Sequence, residues 1–275
     1  MSDKYEFLYS IKMLGFEMNE LSTYVEESTY CYELLTKKLN DLSRFVVSED
    51  NNKQWQLWEG DTEIMKYSEK LRDASSNAIC TIEKYHSLCA LNNKTDLSEY
   101  MSTLCDSVSE QLEAFEFNKE SKIIFIGSGA FPISALTIAR QTDAEIMCLD
   151  IDLEAVETGK NMAELSGLET RVSFTNKTVS ELSFITEATH VVIASLVKNK
   201  LEVLADLSPV ISQNTKVIIR YGNGLKSLFN YPLYQDLSDE WNYINIEQSE
   251  HFYDTVILKK LVLNADERKK RKYAC

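Results

Sequence analysis

Proline and glycine are scarce in this sequence, and their distribution divides it in two. The chain has 275 residues with three prolines and eight glycines, and its first 116 residues contain no proline and two of the glycines. Because these residue types interrupt helices, their scarcity predicts long helices at the start of the chain. Hydrophobic residues there recur at helical spacing, as at Leu35, Leu39 and Leu42. We therefore predict a domain of four to six bundled helices over residues 1–116. The predicted breaks between helices lie near 48–54, 72–76 and 92–97.

Basic residues are few relative to acidic ones, and this imbalance excludes several partners. The formal net charge is -14, so the surface repels phosphate, and nucleic acid and anionic membranes are poor partners. The six cysteines form no Cys-x-x-Cys pair and the three histidines are scattered, which predicts reduced thiols, a cytoplasmic location and no metal site. We also expect no signal segment and no membrane span, because no apolar run is long enough.

From residue 117 onward, short apolar runs alternate with helical patterns. This alternation is typical of α/β proteins and predicts a second domain, residues 117–275, built on a doubly wound and mostly parallel sheet. Strands are predicted at 122–126, 145–150, 171–175, 189–195, 214–221, 244–249 and 254–262. Helices are predicted at 132–141, 153–165, 178–183, 198–206 and 225–230.

The most informative stretch is a glycine turn between the first of these strands and the helix that follows. The strand Ile123 to Ile126 ends at Gly127-Ser128-Gly129, where missing Cβ atoms let a ligand approach the backbone. The next strand ends at Asp150, about 20 residues further on, which is where a carboxylate binds ribose hydroxyls in nucleoside-binding units. Asp152 is the less suitable acid, because its position favours a helix N-cap.

The turn lacks the third glycine of the dinucleotide fingerprint. Pro132 occupies that position, which argues against a pyrophosphate on the helix N-terminus and favours a nucleoside ligand without phosphates. S-adenosylmethionine is such a ligand. Seven strands with two late ones close together suit the Rossmann-like class I S-adenosylmethionine-dependent fold. The alternative is a tight strand-to-helix turn in some other α/β protein.

Several segments, in order along the chain, resemble the nicotianamine synthase family. Residues 125–132 (FIGSGAFP) are similar to the family's Gly-Ser-Gly-Pro-Leu-Pro turn, and residues 194–197 (ASLV) to its Ala-Ala-Leu-Val segment. Residues 220–224 (RYGNG) with Tyr231-Pro232 resemble its Arg-Ser-Ala-His-Gly…Tyr-Pro stretch. The similarity covers roughly residues 83–260, judged by motif order. The helical first half and the acidic balance resemble the bacterial branch that makes opine metallophores of the staphylopine type.

The resemblance implies an unusual use of S-adenosylmethionine. Enzymes of this branch transfer its 2-aminobutanoate (3-amino-3-carboxypropyl) group to an amine, here expected to be D-histidine, and release 5'-methylthioadenosine. Which carbon of the sulfonium reacts depends on which lies in line with the nucleophile. The amine attacks only when neutral, so a base must hold its proton. The product is expected to pass to an opine-type dehydrogenase.

The resemblance also assigns residues. Glu83 is the expected general base and Tyr100 the expected positioning residue, while histidine would contact His86, Arg220 and Tyr221. Without the resemblance, Glu83 would be a solvated helix-face carboxylate and Tyr100 a core tyrosine, and Arg220 could equally form a structural ion pair. The expected cofactor residues are Gly127, Ser128, Gly129, Phe131, Pro132, Asp150, Ile151, Asn176, Lys177, Thr178, Ser195, Leu196 and Val197.

Some features depart from the family pattern or leave alternatives open. Thr178 stands where plant members have an acidic residue, so the adenine contact is open. Residues 95–98 replace a segment that shapes the substrate chamber, so the acceptor can differ: L-histidine or another amine are alternatives. A small-molecule methyltransferase and a non-catalytic S-adenosylmethionine-binding module are rival functions. The oligomeric state, a homodimer being one option, also stays open.

Overall fold

The N-terminal part of the chain is helical. The computed structural model describes residues 2–91, 99–234, 237, 240–246 and 251–261, with residues 2–3 and 99–101 described by their backbone. The helices of this part are α1 (Ser2–Tyr24), α2 (Thr29–Val47), α3 (Glu49–Trp58), α4 (Thr62–Leu91) and α5 (Glu99–Phe115).

Two of the predicted helix breaks need correction. The predicted break near 72–76 is wrong, because α4 continues through it with Ala74 and Ser75 buried against the bundle. The predicted break at 48–54 shortens to Ser48, whose hydroxyl accepts a hydrogen bond from the backbone N–H of Asn51 and caps α3. The sequence signals there were polar residues rather than glycine or proline, and such residues continue a helix when one face is packed. The third break, at 92–97, lies outside the described residues.

The second part of the chain forms a seven-stranded sheet in the order β3-β2-β1-β4-β5-β7-β6. Strands β1 to β5 are parallel, whereas β7 runs antiparallel to both β5 and β6. The strands are β1 (Lys122–Ile126), β2 (Glu145–Leu149), β3 (Val172–Thr175), β4 (His190–Ile193), β5 (Lys216–Tyr221), β6 (Trp241–Ile246) and β7 (Asp254–Lys260). This arrangement confirms the predicted fold class.

The connecting helices also follow the prediction, with two corrections. They are α6 (Ile133–Thr142), α7 (Leu153–Leu165) and α8 (Lys200–Leu207). The segments predicted as helices at 178–183 and 225–230 are short 3-10 helices, Val179–Glu181, Ser183–Thr186 and Gly224–Leu228. Their backbone closes single turns with i to i+3 bonds, since each segment is too short to build an α-helix.

One hydrophobic core joins the helical bundle to the sheet. It contains Leu35 and Ile79 from the helices together with Phe125 and Ile218 from the strands. A second, smaller core lies on the opposite face of the sheet. The chain passes from bundle to sheet at Glu116, which has a positive φ of 60°. The division into two domains at residues 116 and 117 stays a prediction.

Helix α4 places the bundle against the carboxyl ends of the strands. The Lys84 ammonium forms ion pairs with Asp152 at 3.0 Å and Glu154 at 2.5 Å, at the start of α7. The Ser87 hydroxyl donates to the carbonyl oxygen of Ala130 at 2.8 Å. Ligands of doubly wound sheets bind at the carboxyl ends where the strand order reverses, here at β1 between β2 and β4. Among the described helices, none is long and apolar enough to cross a membrane.

Candidate active site

The glycine turn has the backbone geometry that its sequence predicts. Gly127 has φ 78° and Gly129 has φ 71°, values that glycine tolerates and other residues rarely adopt. The N–H of Gly127 donates to the carbonyl of Leu149 at 2.8 Å, which ties the turn to the end of β2. A Cβ atom at Gly127 would lie 2.6 Å from Cγ2 of Val197. The turn therefore requires glycine for both conformation and space.

Asp150 lies at the end of β2, next to this turn. One carboxylate oxygen accepts from the N–H of Gly129 at 2.8 Å and the other from the N–H of Asp152 at 3.0 Å. Each carboxylate oxygen keeps a further lone pair for a ligand hydroxyl. Asp152 accepts from the N–H of Glu154 and caps α7, so its predicted role as an N-cap is confirmed. Ile151, between the two acids, is 99% exposed.

Glu83 reaches the turn from helix α4. Its carboxylate lies directly over Gly129, so that a Cβ atom at this position would collide with it. The backbone N–H groups of Ala130 and Phe131 hydrogen-bond to the carboxylate. Burial and, to a lesser degree, the negative charge of Asp150 raise the pKa of Glu83 to about 8. Residues 83, 129 and 150, far apart in sequence, thus form one cluster.

His86 follows Glu83 by one helical turn and faces the same segment. Its ring centroid lies 6.4 Å from that of Phe131, which is buried. Burial lowers the pKa of His86, and its buried Nε2 has no hydrogen-bond partner among the described residues. Pro132 precedes the first residue of α6 and completes the turn. The side chain of Tyr100, the other expected catalytic residue, lies outside the described part of the chain, although its backbone belongs to α5.

The loop after β3 is exposed at Asn176, Lys177 and Thr178. The Thr178 hydroxyl and backbone N–H both donate to the carboxylate of Glu181, each at 2.8 Å. This is a capping box, and the Thr-x-x-Glu spacing would have revealed it in the sequence. The loop therefore holds an acidic side chain at residue 181, which the sequence analysis did not identify.

The loop after β4, residues 195–197, lies half-buried beside the glycine turn. Val197 approaches Gly127, and the loop backbone is hydrogen-bonded by the buried ammonium of Lys200. The sequence analysis did not identify Lys200, because a lysine is normally expected on the surface.

Arg220 is buried beneath the start of α6 and is 3% exposed. One guanidinium nitrogen donates to the hydroxyl of Ser134 at 3.0 Å, while Nε and the second terminal nitrogen have no hydrogen-bond partner among the described residues. The guanidinium lies over the rings of Phe125 and Tyr253. Tyr221, the next residue, packs with the smaller core on the opposite face of the sheet. The structure thus separates these two expected substrate residues.

His251, by contrast, is bound to the helical bundle. Its Nδ1 lies 2.7 Å from the hydroxyl of Ser107, and its Nε2 lies 3.0 Å from a carboxylate oxygen of Glu110. Within the part of the chain that the structure describes, no group of three or more His, Cys, Asp or Glu side chains is arranged to hold a metal ion.

The fold and this cluster together define a class of protein. The chain has a doubly wound α/β sheet with an open glycine turn and a carboxylate at the end of β2, next to a helical bundle that adds a second carboxylate. The chain belongs to the nicotianamine synthase family, since the family model described as nicotianamine synthase protein matches residues 63–266.

Individual relatives agree with this assignment. The chain is 36% identical to an L-histidine 2-aminobutanoyltransferase of Pseudomonas aeruginosa strain PAO1, over 94% of this chain and 99% of that protein. It is 28% identical to an enzyme of the same name from Yersinia pestis, over 93% and 96% of the two chains.

Solved structures share the fold over almost the whole chain. The structure of MtNAS in complex with MTA and tNA matches with a TM-score of 0.77 and 13% identity, over 92% of this chain and 97% of that one. A mutant of MtNAS in complex with S-adenosylmethionine matches with a TM-score of 0.72 and 12% identity, over 90% and 97%.

Proposed function

We propose that the chain transfers the 2-aminobutanoate group of S-adenosylmethionine to the amine of D-histidine, releasing 5'-methylthioadenosine, in biosynthesis of a staphylopine-type metallophore. Family membership and the relatives named histidine 2-aminobutanoyltransferase support S-adenosylmethionine-dependent aminobutanoyl transfer to histidine. The D configuration and the metallophore come from the sequence resemblance to the opine-metallophore branch. An opine-type dehydrogenase would consume the product.

The position of Glu83 over Gly129 carries this proposal. A carboxylate there faces the segment of the turn that approaches the ligand, and its pKa of about 8 suits a base that works near neutral pH. The acceptor nitrogen forms a bond to the γ carbon of the aminobutanoate arm while the bond from sulfur to that carbon breaks. The electron pair of the broken bond stays on sulfur as a thioether. Glu83 takes the proton that the amine loses.

The open turn and the end of β2 fit a nucleoside. Asp150 would accept hydrogen bonds from the ribose hydroxyls, and the exposed side chain of Ile151 offers an apolar surface to the adenine ring. The exposed residues 176–178 border the same region, with residues 195–197 on its other side. A Cβ atom at Gly127 would collide with Val197, so glycine at this position lets the loop at residues 195–197 pack directly against the turn.

Arg220 would bind the carboxylate of histidine. Its two nitrogen donors without a hydrogen-bond partner among the described residues form a planar fork that matches a carboxylate in bidentate geometry. The hydrogen bond to Ser134 fixes the Arg220 side chain beneath the first turn of α6. This turn directly follows residues 129–131, which contact Glu83. His86 and Tyr100, on α4 and α5, would complete the acceptor side, whereas Tyr221 packs with the smaller core on the opposite face and is not assigned to it.

L-histidine is the second candidate acceptor, because the relatives are named for that enantiomer. Mass spectrometry of the protein incubated with S-adenosylmethionine and either enantiomer distinguishes the two. We expect methylthioadenosine and a histidine adduct heavier by one aminobutanoate unit with D-histidine. The same products with L-histidine alone would correct the stereochemistry. S-adenosylhomocysteine would mean methyl transfer, and intact cofactor with both enantiomers would contradict the proposal and favour a binding module.

A further inference from the structure

Lys200 is a buried cation without an acidic partner among the described residues. It lies at the start of α8 and is 2% exposed. Its ammonium donates to three backbone carbonyl oxygens: those of Ser195 at 2.8 Å, Val197 at 2.7 Å and Tyr231 at 3.1 Å. Burying a charged lysine is costly, and these three hydrogen bonds offset part of that cost.

The three carbonyls belong to two different loops. Ser195 and Val197 lie in the loop after β4, whereas Tyr231 follows the 3-10 helix Gly224–Leu228. The backbone N–H of Tyr231 also donates to the carbonyl of Ser195 at 3.1 Å. Lys200 therefore clamps the two loops together at the carboxyl ends of β4 and β5.

The clamp continues to the helix that carries Glu83. The hydroxyl of Tyr231 donates to the carboxylate of Asp73 on α4 at 3.0 Å, and the Arg72 guanidinium lies 5.3 Å from the centre of the tyrosine ring. Arg72 also donates to the carbonyl of Ser227 at 3.0 Å. Through Tyr231, Lys200 thus connects the loop at residues 195–197 with α4.

The clamp depends on the protonation of Lys200. An ammonium has three N–H donors for three carbonyls, whereas a neutral amine has two and turns a lone pair toward the third oxygen. Burial, and then the positive charge of Arg72, lower the pKa of Lys200 to about 7. Two further charged groups of the described residues contact Tyr231: the Lys198 ammonium lies 5.8 Å from the centre of its ring, and the Asp73 carboxylate accepts from its hydroxyl.

We infer that Lys200 is a positioning residue for the cofactor, whose ammonium holds the loop 195–197 against the glycine turn and aligns it with α4. This inference rests on the proposed function, which assigns that loop to S-adenosylmethionine. It predicts that cofactor affinity depends on the charge at residue 200, although this side chain touches no ligand itself.

The test measures the dissociation constant of S-adenosylmethionine by calorimetry, without acceptor, between pH 6 and 9. The variants are K200M, K200R and the control K198M, which removes the exposed neighbour near the same ring. In K200M the three carbonyls lose their donor, and we expect affinity to fall about tenfold at pH 6.5, the effect of losing charged hydrogen bonds. K198M should bind as the wild type does.

The pH profile separates positioning from a merely structural role. Wild-type affinity should weaken as pH rises through about 7, where Lys200 loses its proton. The affinity of K200R should show no such decrease near pH 7, because arginine stays charged. Titration of Glu83 affects the pH profiles of the wild type and K200R equally, so it cancels when one profile is subtracted from the other. Thermal unfolding of each variant shows whether it is folded.

Three results would overturn the inference. One is a folded K200M with wild-type affinity, another is an equal loss in K198M, and the third is identical pH profiles for the wild type and K200R. If K200M fails to fold, the difference between the pH profiles of the wild type and K200R still decides the question. Absence of methylthioadenosine despite normal cofactor binding would contradict the proposed reaction alone, whereas absence of cofactor binding by the wild type would contradict both.

Discussion

Acidic side chains lie on one side of the glycine turn and basic side chains on the other, and the two sets differ in their contacts. On the side of β2 and α4, the carboxylates of Glu83 and Asp150 lie together and both contact the segment 129–131. On the side of β4 and β5, the cations Arg220 and Lys200 are buried. The acidic side suits the sulfonium and the acceptor amine, whereas the basic side suits carboxylates. This polarity matches the charges of the proposed substrates.

The two cations, Lys200 and Arg220, differ in how many of their N–H donors are hydrogen-bonded. Lys200 donates to three carbonyl oxygens, so the protein itself satisfies the donors of its ammonium group. Arg220 has two buried nitrogens without a partner among the described residues, an arrangement that is costly unless a ligand completes it. We therefore propose a positioning role for Lys200 and a ligand-binding role for Arg220.

The largest expected effect concerns the acidic side. In E83Q the proposed base is lost, so turnover should fall by roughly 10²–10⁴-fold while S-adenosylmethionine still binds. The measurement is the rate of methylthioadenosine formation, with cofactor binding determined in parallel. E69Q, an exposed acid on the same helix, is the matched control and should keep full activity. Full activity in E83Q would exclude Glu83 as the base.

A second prediction tests the contact between Glu83 and the turn. In G129A a methyl group would displace the carboxylate, and a misplacement of this kind should cost about a hundredfold in turnover. G167A is the control, since Gly167 also has a positive φ, 67°, but open space around its Cβ position. Both variants should lose roughly 1–2 kcal/mol of stability from backbone strain. Equal turnover in the two would show that the contact has no role.

The basic side is tested at Arg220. R220K keeps a positive charge but loses the bidentate fork, so the KM for histidine should rise on the order of tenfold with little change in that for S-adenosylmethionine. R171K, at an exposed arginine paired with Asp143, should leave both values unchanged. A rise in KM for the cofactor alone would assign Arg220 to the carboxylate of the aminobutanoate arm instead.

The smallest expected effect tests the electrostatic interaction between Asp150 and Glu83. In D150N the negative charge that helps to raise the pKa of Glu83 is removed, so this pKa should fall and the rise of activity with pH should move to lower pH. Affinity for S-adenosylmethionine should fall by about threefold to tenfold as the proposed ribose contact weakens. An unshifted pH profile would show that the two acids are not coupled.

Local patterns predicted the sheet, because its signals are contained in short segments. The run Ile123 to Ile126, the glycines at 127 and 129, and Asp150 fix a strand, a turn and a second strand end without reference to distant residues. The break predicted near 72–76 was wrong because polar residues inside α4 gave the same local signal as a loop. Packing against the rest of the bundle decides this case, and packing is not visible in a local pattern.

The site was less accessible to sequence reasoning. Glu83 approaches Gly129 across 46 residues of chain, and only the family resemblance suggested that they belong together. Lys200 was missed because burial of a lysine depends on three carbonyls from two loops. The two Arg220 nitrogens that lack a hydrogen-bond partner among the described residues likewise become visible only when β5, α6 and β7 are assembled. Long-range contacts of this kind have no signature in residue spacing.

The most direct test of the account is the single-turnover rate of methylthioadenosine formation as a function of pH, at saturating S-adenosylmethionine and histidine, in the wild type and in E83Q. The carboxylate must be ionised to accept a proton, and the bound sulfonium and ammonium charges lower the pKa of Glu83 from its value of about 8 in the free protein. The wild-type rate should therefore rise with pH in a step that lies at or below pH 8. The rate of E83Q should stay low and show no such step. A wild-type profile without that step, or the same step in E83Q, would contradict the role of Glu83 as the base.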